Sequence, residues 1–166
     1  MIENTSKIVK LTNYIESVLR FIASLVVVSA LLVMFSTLLL EVIFRYVTNS
    51  SLGWPSELPT ILFPWTIMGG VVLAHQKGLH LSVNLIFQFL SVSKSKALYA
   101  LLNVITVITF AFLFWVSFDI LEIVSSEMYP YTNISAKWAY LSLPAGFVGI
   151  ILTSVNNLSR LNYYEQ

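Results

Sequence analysis

Four long uncharged stretches, residues 21–40, 58–74, 97–118 and 138–155, alternate along the chain with segments that hold all of its charge. A helix that crosses hydrocarbon needs about 17–25 mainly apolar residues, and each stretch meets that length, the second only just. Transmembrane β-strands would appear as short segments of alternating polarity, whereas these runs are continuous. The pattern predicts an all-α membrane protein with four transmembrane helices, at about 21–45, 57–76, 97–119 and 138–157. They would form a four-helix bundle in a single membrane domain covering residues 1–166. The first run is longer than the roughly 7–15 residues of a signal-peptide core and ends at Leu39-Leu40-Glu41, with no small-residue cleavage site. It is expected to be a retained span.

Two further segments have the period of a helix but are too polar or too short to cross. In residues 5–20, Ile8, Leu11, Ile15, Val18 and Leu19 form a stripe from which Lys7, Lys10, Asn13 and Glu16 fall away. In residues 81–91, Leu81, Leu85, Ile86, Phe89 and Leu90 gather on one side, away from Ser82, Asn84 and Gln88. Both are expected to be interfacial amphipathic helices, with Leu81, Leu85 and Phe89 acting as a brace on the bilayer surface. Orientation follows from Lys and Arg near the spans. Lys7, Lys10, Arg20, Lys77, Lys94, Lys96 and Arg160 fall on one side, against Arg45 and Lys137 on the other. Both termini are therefore expected in the cytoplasm, with connections 41–57 and 119–137 outside.

Composition sharpens this picture. Hydrophobic residues make up 57% of the chain and charged residues 10%, and mean hydropathy is +0.82. Soluble domains carry roughly 25% charge, so lipid is the natural solvent. A net charge of +1 provides no basic field for a phosphate backbone, and no nucleic-acid partner is expected. The absence of cysteine removes disulfides, thiol catalysis, Cys-ligated zinc and iron–sulfur clusters.

Candidate chemistry is sparse. Glu41 and Arg45 stand four apart in the favourable order for a helix pair. They read either as a headgroup-level pair, with Arg45 reaching water, or as a polar contact to a partner subunit. Trp54, Pro55, Ser56 and Glu57 open the second span: Ser56 is expected to cap it, Trp54 to join the aromatic belt, and Glu57 to suit the helix dipole. Pro64 should kink the same span. Gly70 with Ala74, and Ala145 with Gly149, are small residues four apart that permit close helix packing, and Asn103 can hydrogen-bond another helix. His75 and His80 lie at one end of one segment, an arrangement ill suited to bis-histidine haem ligation, and read as interfacial polar residues. No metal-ligand, nucleophile–base or phosphate-loop motif is present, so no catalytic, cofactor or metal residue is assigned.

A transporter that works alone should show charges or broken helices near the midplane. Here the span centres, residues 28–34, 67–71, 106–111 and 147–150, are almost wholly apolar. The chain therefore reads as a membrane part that packs against something else. A membrane anchor of a respiratory or redox complex, and a self-sufficient small exporter or channel, are the alternatives.

Four segments together resemble one known family. Glu41-Val42-Ile43-Phe44-Arg45-Tyr46-Val47 closes the first span and Trp54-Pro55-Ser56-Glu57-Leu58 opens the second. His80-Leu81-Ser82-Val83-Asn84 follows it, and Trp138-Ala139-Tyr140-Leu141-Ser142-Leu143-Pro144-Ala145-Gly146 opens the fourth. In this order they are similar to the small membrane subunit (DctQ/SiaQ-like) of tripartite ATP-independent periplasmic (TRAP) transporters. The chain departs from the family pattern at Ser56 and Asn84, where acids are common, and at Leu90-Ser91, where Leu-Pro is common. The resemblance implies a scaffold subunit in a bacterial inner membrane, not an enzyme. Its partners would be a large membrane subunit that imports an organic acid, such as a C4-dicarboxylate or sialic acid, with Na+, and a periplasmic binding protein. Sodium would bind in the large subunit. Glu41, Arg45, Trp54 and Glu57 would then form the outer docking face.

Overall fold

The computed structural model describes residues 2–77 and 91–161, with side chains over 12–77, 91 and 93–159. Its helices are α1 (Ile2–Thr48), α2 (Trp54–Gln76), α3 (Val92–Val124), α4 (Lys137–Tyr140) and α5 (Ser142–Leu161). Four segments are long and apolar enough to cross a membrane: Thr12–Thr48, Trp54–Gln76, Ser93–Val124 and Lys137–Ser159, the last being α4 and α5 taken together. The expected interfacial segment at 5–20 runs without a break into the first span. At 1.5 Å per residue the 47 residues of α1 extend about 70 Å, more than twice the hydrocarbon thickness. The second expected interfacial segment, with His80, Leu81, Leu85 and Phe89, lies outside the described residues.

The long helices do not close into a bundle. α1 packs along α2, α2 against α5, and α5 against α3, while α1 meets α5 only briefly. Among the described residues α3 makes no substantial contact with α1 or α2, so the helices form an open row. Small residues set the spacing within it. Ala23 and Ala30 are buried on α1, and a Cβ at Gly69 of α2 would stand 2.6 Å from Val27 Cγ2 and 3.4 Å from the Ala23 carbonyl oxygen. Between α2 and α5, a Cβ at Gly146 would overlap Met68, and one at Gly149 would come within 2.9 Å of Val72 Cγ2. Close backbone approach of this kind supplies the packing energy that hydrophobic burial cannot supply in lipid. Ala23, Val72 and Ile150 form the small core, with Leu73 and Phe110 against it, and the Phe110 and Phe147 rings lie 5.6 Å apart. Large side chains point outward instead: Phe35, Phe112 and Trp115 are each about two-thirds exposed or more.

Prolines place the irregularities. α2 starts with Pro55 in its first turn, where the missing N–H costs nothing. Pro59 and Pro64 then leave the carbonyls of Pro55 and Thr60 without their helical donors. Pro144 does the same to Tyr140, which accounts for the break at Leu141 between α4 and α5.

Candidate functional site

Polar side chains concentrate at the two ends of the helix row. At the end where α1 turns into α2, Thr48 Oγ1 donates to the Phe44 carbonyl (2.8 Å), and Asn49 and Gly53 take left-handed φ values of 53° and 77° to reverse the chain. The Glu41 carboxylate closes this turn by accepting from the Ser51 hydroxyl and from the Leu52 N–H (3.3 Å). Among the described residues Glu41 makes no ion pair with Arg45, because its oxygens are directed at the turn; Arg45 is exposed. Ser56 does not cap α2. It lies within the first turn and its hydroxyl donates to the Gly53 carbonyl (2.6 Å), while the cap position belongs to Gly53.

Glu57 reaches across to the connection between α3 and α4. Its carboxylate accepts the Tyr131 N–H, the Thr132 N–H and the Thr132 hydroxyl, each at 2.8 Å. The residue is only 7% exposed. The segment it holds, residues 125–136, is tied to itself by a bridge between Met128 and Ser135. It is tied further by the Tyr129 N–H to the Ile134 carbonyl (3.0 Å) and by Asn133 in a left-handed conformation. The Tyr131 ring lies where a Cβ on Gly53 would stand. Sequence reasoning singled out Glu57 but not its acceptor role, since the partners are backbone N–H groups some 74 residues away. The structure thus gathers Glu41, Trp54 and Glu57 around one turn, with Arg45 a helical turn further along on the surface. The exposed rim there includes Tyr46, Val47, Trp54 and Tyr131.

At the opposite end a layer of mostly neutral polar groups joins the helices. His75 Nε2 and Ser154 Oγ are 2.7 Å apart, both buried. Gln76 Nε2 donates to the Glu16 carbonyl (3.3 Å), and Asn156 Nδ2 to Glu16 Oε2 (3.1 Å). Asn103 is buried and donates to the Tyr99 carbonyl (2.9 Å), while its Oδ1 accepts from Asn157 (3.5 Å). The Asn103 contact is the helix-linking bond that its position suggests. His75 is part of the same layer, 8% exposed, and not a residue at the water interface. The small-residue positions divide. Gly149 packs on Val72, but a Cβ at Gly70 would meet nothing within 4 Å. Ala74 and Ala145 are exposed, Ala145 lining a crevice of about 110 Å³ between α1, α2 and α5. The close contacts fall on Gly69 and Gly146, one residue away from Gly70 and Ala145, because those faces of α2 and α5 meet α1 and α2.

Between the two ends the spans carry no charged side chain, and among the described residues no group of three or more acidic or histidine side chains could hold a metal ion. The family model for the DctQ component of tripartite ATP-independent periplasmic transporters matches residues 34–162. The chain belongs to this DctQ family. It is therefore a component of a TRAP transporter, with a multi-pass membrane fold. A relative from Haemophilus influenzae bears the name of a TRAP transporter small permease protein. It is 24% identical over 133 residues, which cover 80% of this chain and 78% of the relative. A protein of Sinorhizobium fredii, the uncharacterized y4mM, is 27% identical over 155 residues, 92% of this chain but 28% of that longer protein. The DctQ match begins within α1 at residue 34, so it includes the Glu41 and Glu57 ties and His75, Asn103, Ser154 and Asn156 of the neutral layer, while Glu16 lies before it.

Proposed function

We propose that the chain is the small, non-catalytic scaffold subunit of a sodium-coupled TRAP transporter that imports an organic acid. The observation that carries this reading is the separation of polarity within a DctQ family member. Charged groups are spent on fastening helix ends and loops, and the middle of every span carries no charged side chain to hold an ion or a carboxylate. Substrate and Na+ then belong to a large membrane partner, and this chain widens the fixed part of that partner against which the moving part works. The Lys and Arg asymmetry supports cytoplasmic termini in a bacterial inner membrane. The 49–53 turn and the 125–136 segment would then face the periplasm. Held rigid by Glu41 and Glu57, this surface suits docking of the periplasmic binding protein, with Arg45 and Trp54 at its exposed rim. Leu81, Leu85 and Phe89 would brace the opposite bilayer surface.

The test is reconstitution. Proteoliposomes holding the large subunit, with binding protein and labelled organic acid outside, should transport only when this chain is present. Arg45→Ala should leave insertion intact and weaken binding-protein capture. Full-rate transport without the chain would overturn the scaffold reading.

A further inference from the structure

A cleft of about 530 Å³ opens just below the Glu57-held segment, walled by Met34 of α1, Pro59, Phe63 and Pro64 of α2, and Tyr129 and Tyr140. Pro59 and Pro64 lie five and ten residues beyond Trp54, so the cleft occupies a depth of about 7–15 Å below the start of α2. That depth falls within one leaflet, on the side of the 49–53 turn. Its polarity is graded. The α2 wall is aliphatic and phenyl apart from Thr60, and the phenols come from the 125–136 segment and α4. Among the described residues neither phenol hydroxyl has a hydrogen-bond partner in the chain. Burial, with Tyr140, Glu127 and Glu57 nearby, pushes the Tyr129 phenol above its ordinary value, so it remains a donor at physiological pH.

These features define the occupant. It must be apolar over most of its length and must present acceptor oxygens to two unpaired donors at the interfacial end. A free carboxylate does not fit, because no Lys or Arg lines the cleft and an uncompensated charge would lose its hydration there. We infer that the cleft binds one acyl chain of a glycerolipid from that leaflet, with the lipid's ester oxygens accepting from Tyr129 and Tyr140. An ordered lipid at this position would fill the cleft beside Pro59 and Pro64 of α2 and would support the docking segment from beneath. The inference needs only the membrane fold and stands apart from the transport reading.

The probe is phosphatidylethanolamine carrying a diazirine in one acyl chain, incorporated into nanodiscs with the intact transporter complex and photolysed, with adducts mapped by peptide mass spectrometry. Adducts at Met34, Phe63 or Tyr140 should exceed those at the openly exposed Trp115 by at least about fivefold. Thr60→Phe, a change at an exposed residue on the cleft wall, should bring the cleft adducts down to the Trp115 level while Trp115 labelling stays constant. The Tyr129→Phe/Tyr140→Phe variant keeps the shape and should lower cleft labelling several-fold. Cleft labelling equal to that of Trp115 in the native chain would overturn the inference. So would labelling that Thr60→Phe leaves unchanged, or cross-linking of a benzoylphenylalanine at position 63 to another subunit in place of lipid.

Discussion

The two ends of the helix row are fastened by different chemistry. At the loop end, two carboxylates, Glu41 and Glu57, accept backbone N–H groups and hydroxyls from turns. At the other end, an imidazole, hydroxyls and amides join helix to helix, and the charge in the layer, Glu16, is shared between Asn156 and Arg20. The contrast reflects what each end must hold. A loop presents unpaired N–H groups, and an ionised carboxylate is the strongest side-chain acceptor for them. Helices in lipid have already paired their backbones, so only side chains remain to fix their register, and neutral ones avoid the cost of a buried charge. Damage at the loop end should therefore be large and confined to the loops, and damage at the helix end smaller and spread over the whole fold.

The largest effect is expected at Glu57. Glu57→Ala strips one acceptor from three donors. Amide exchange at Tyr131 and Thr132 should accelerate by more than about tenfold, and protease should cut within 125–136, while exchange in the middle of α2 and α5 stays unchanged. Acceleration spreading into α5 would show that the segment and the helix row unfold together, and the contrast between the ends would be lost.

Gly53→Ala comes next. The left-handed φ of 77° strains any residue with a Cβ, and that Cβ would meet the Tyr131 ring. A loss of about 1–3 kcal/mol is expected in unfolding from mild detergent. Gly53→Ala combined with Tyr131→Ala should recover part of that loss, because the ring clash disappears and only the φ strain remains. An equal loss in both backgrounds would mean that the ring moves aside freely and the segment is not seated on the turn.

How much of this could be read from the chain depends on how local each cause is. The four spans and the proline positions are written in runs of residues and were legible. So was the small-residue character of the α2 and α5 contacts, but their register only at Gly149. A helix face is set to within one residue by its neighbour, and the neighbour is chosen by tertiary packing, which is why the contact falls on Gly69 and Gly146 and leaves Gly70 open. The open row was not legible, since apolar helices in lipid have no uniform drive to close a bundle. The partners of Glu57 were hidden for a different reason. Backbone N–H groups carry no residue signature, and only the left-handed Gly53 and Asn133 flanking that contact hint at tight turns. His75 read as interfacial because its partner, Ser154, is a residue type too common to draw notice.

A smaller effect is expected from the His75–Ser154 contact. Ser154→Ala and His75→Ala, with the double variant, form a cycle whose coupling should be about 0.6 kcal/mol and no more than about 1.7 kcal/mol, the range of polar helix–helix bonds in membranes. Exchange protection should fall evenly over α2 and α5. Coupling well above that range would mean that the imidazole carries charge in the layer and that this end, too, relies on ionic fastening.

The smallest effect is expected at Arg20, and it tests the contrast most directly. Arg20 lies 3.7 Å from Glu16 one helical turn away, with its own side chain 56% exposed and that of Glu16 12% exposed. An i,i+4 pair with one partner in water contributes about 0.3–0.5 kcal/mol, and the other Glu16 oxygen is already held by Asn156. Arg20→Ala should therefore cost no more than about 0.5 kcal/mol, and the cost should shrink further as salt rises, because the exposed cation is screened. Asn156→Leu should cost more than Arg20→Ala, since it removes the buried amide that links α5 to the Glu16 carboxylate. If the order were reversed, with Arg20 costing more than Asn156, the charge and not the amide would organise this end. The two ends would then differ in position only.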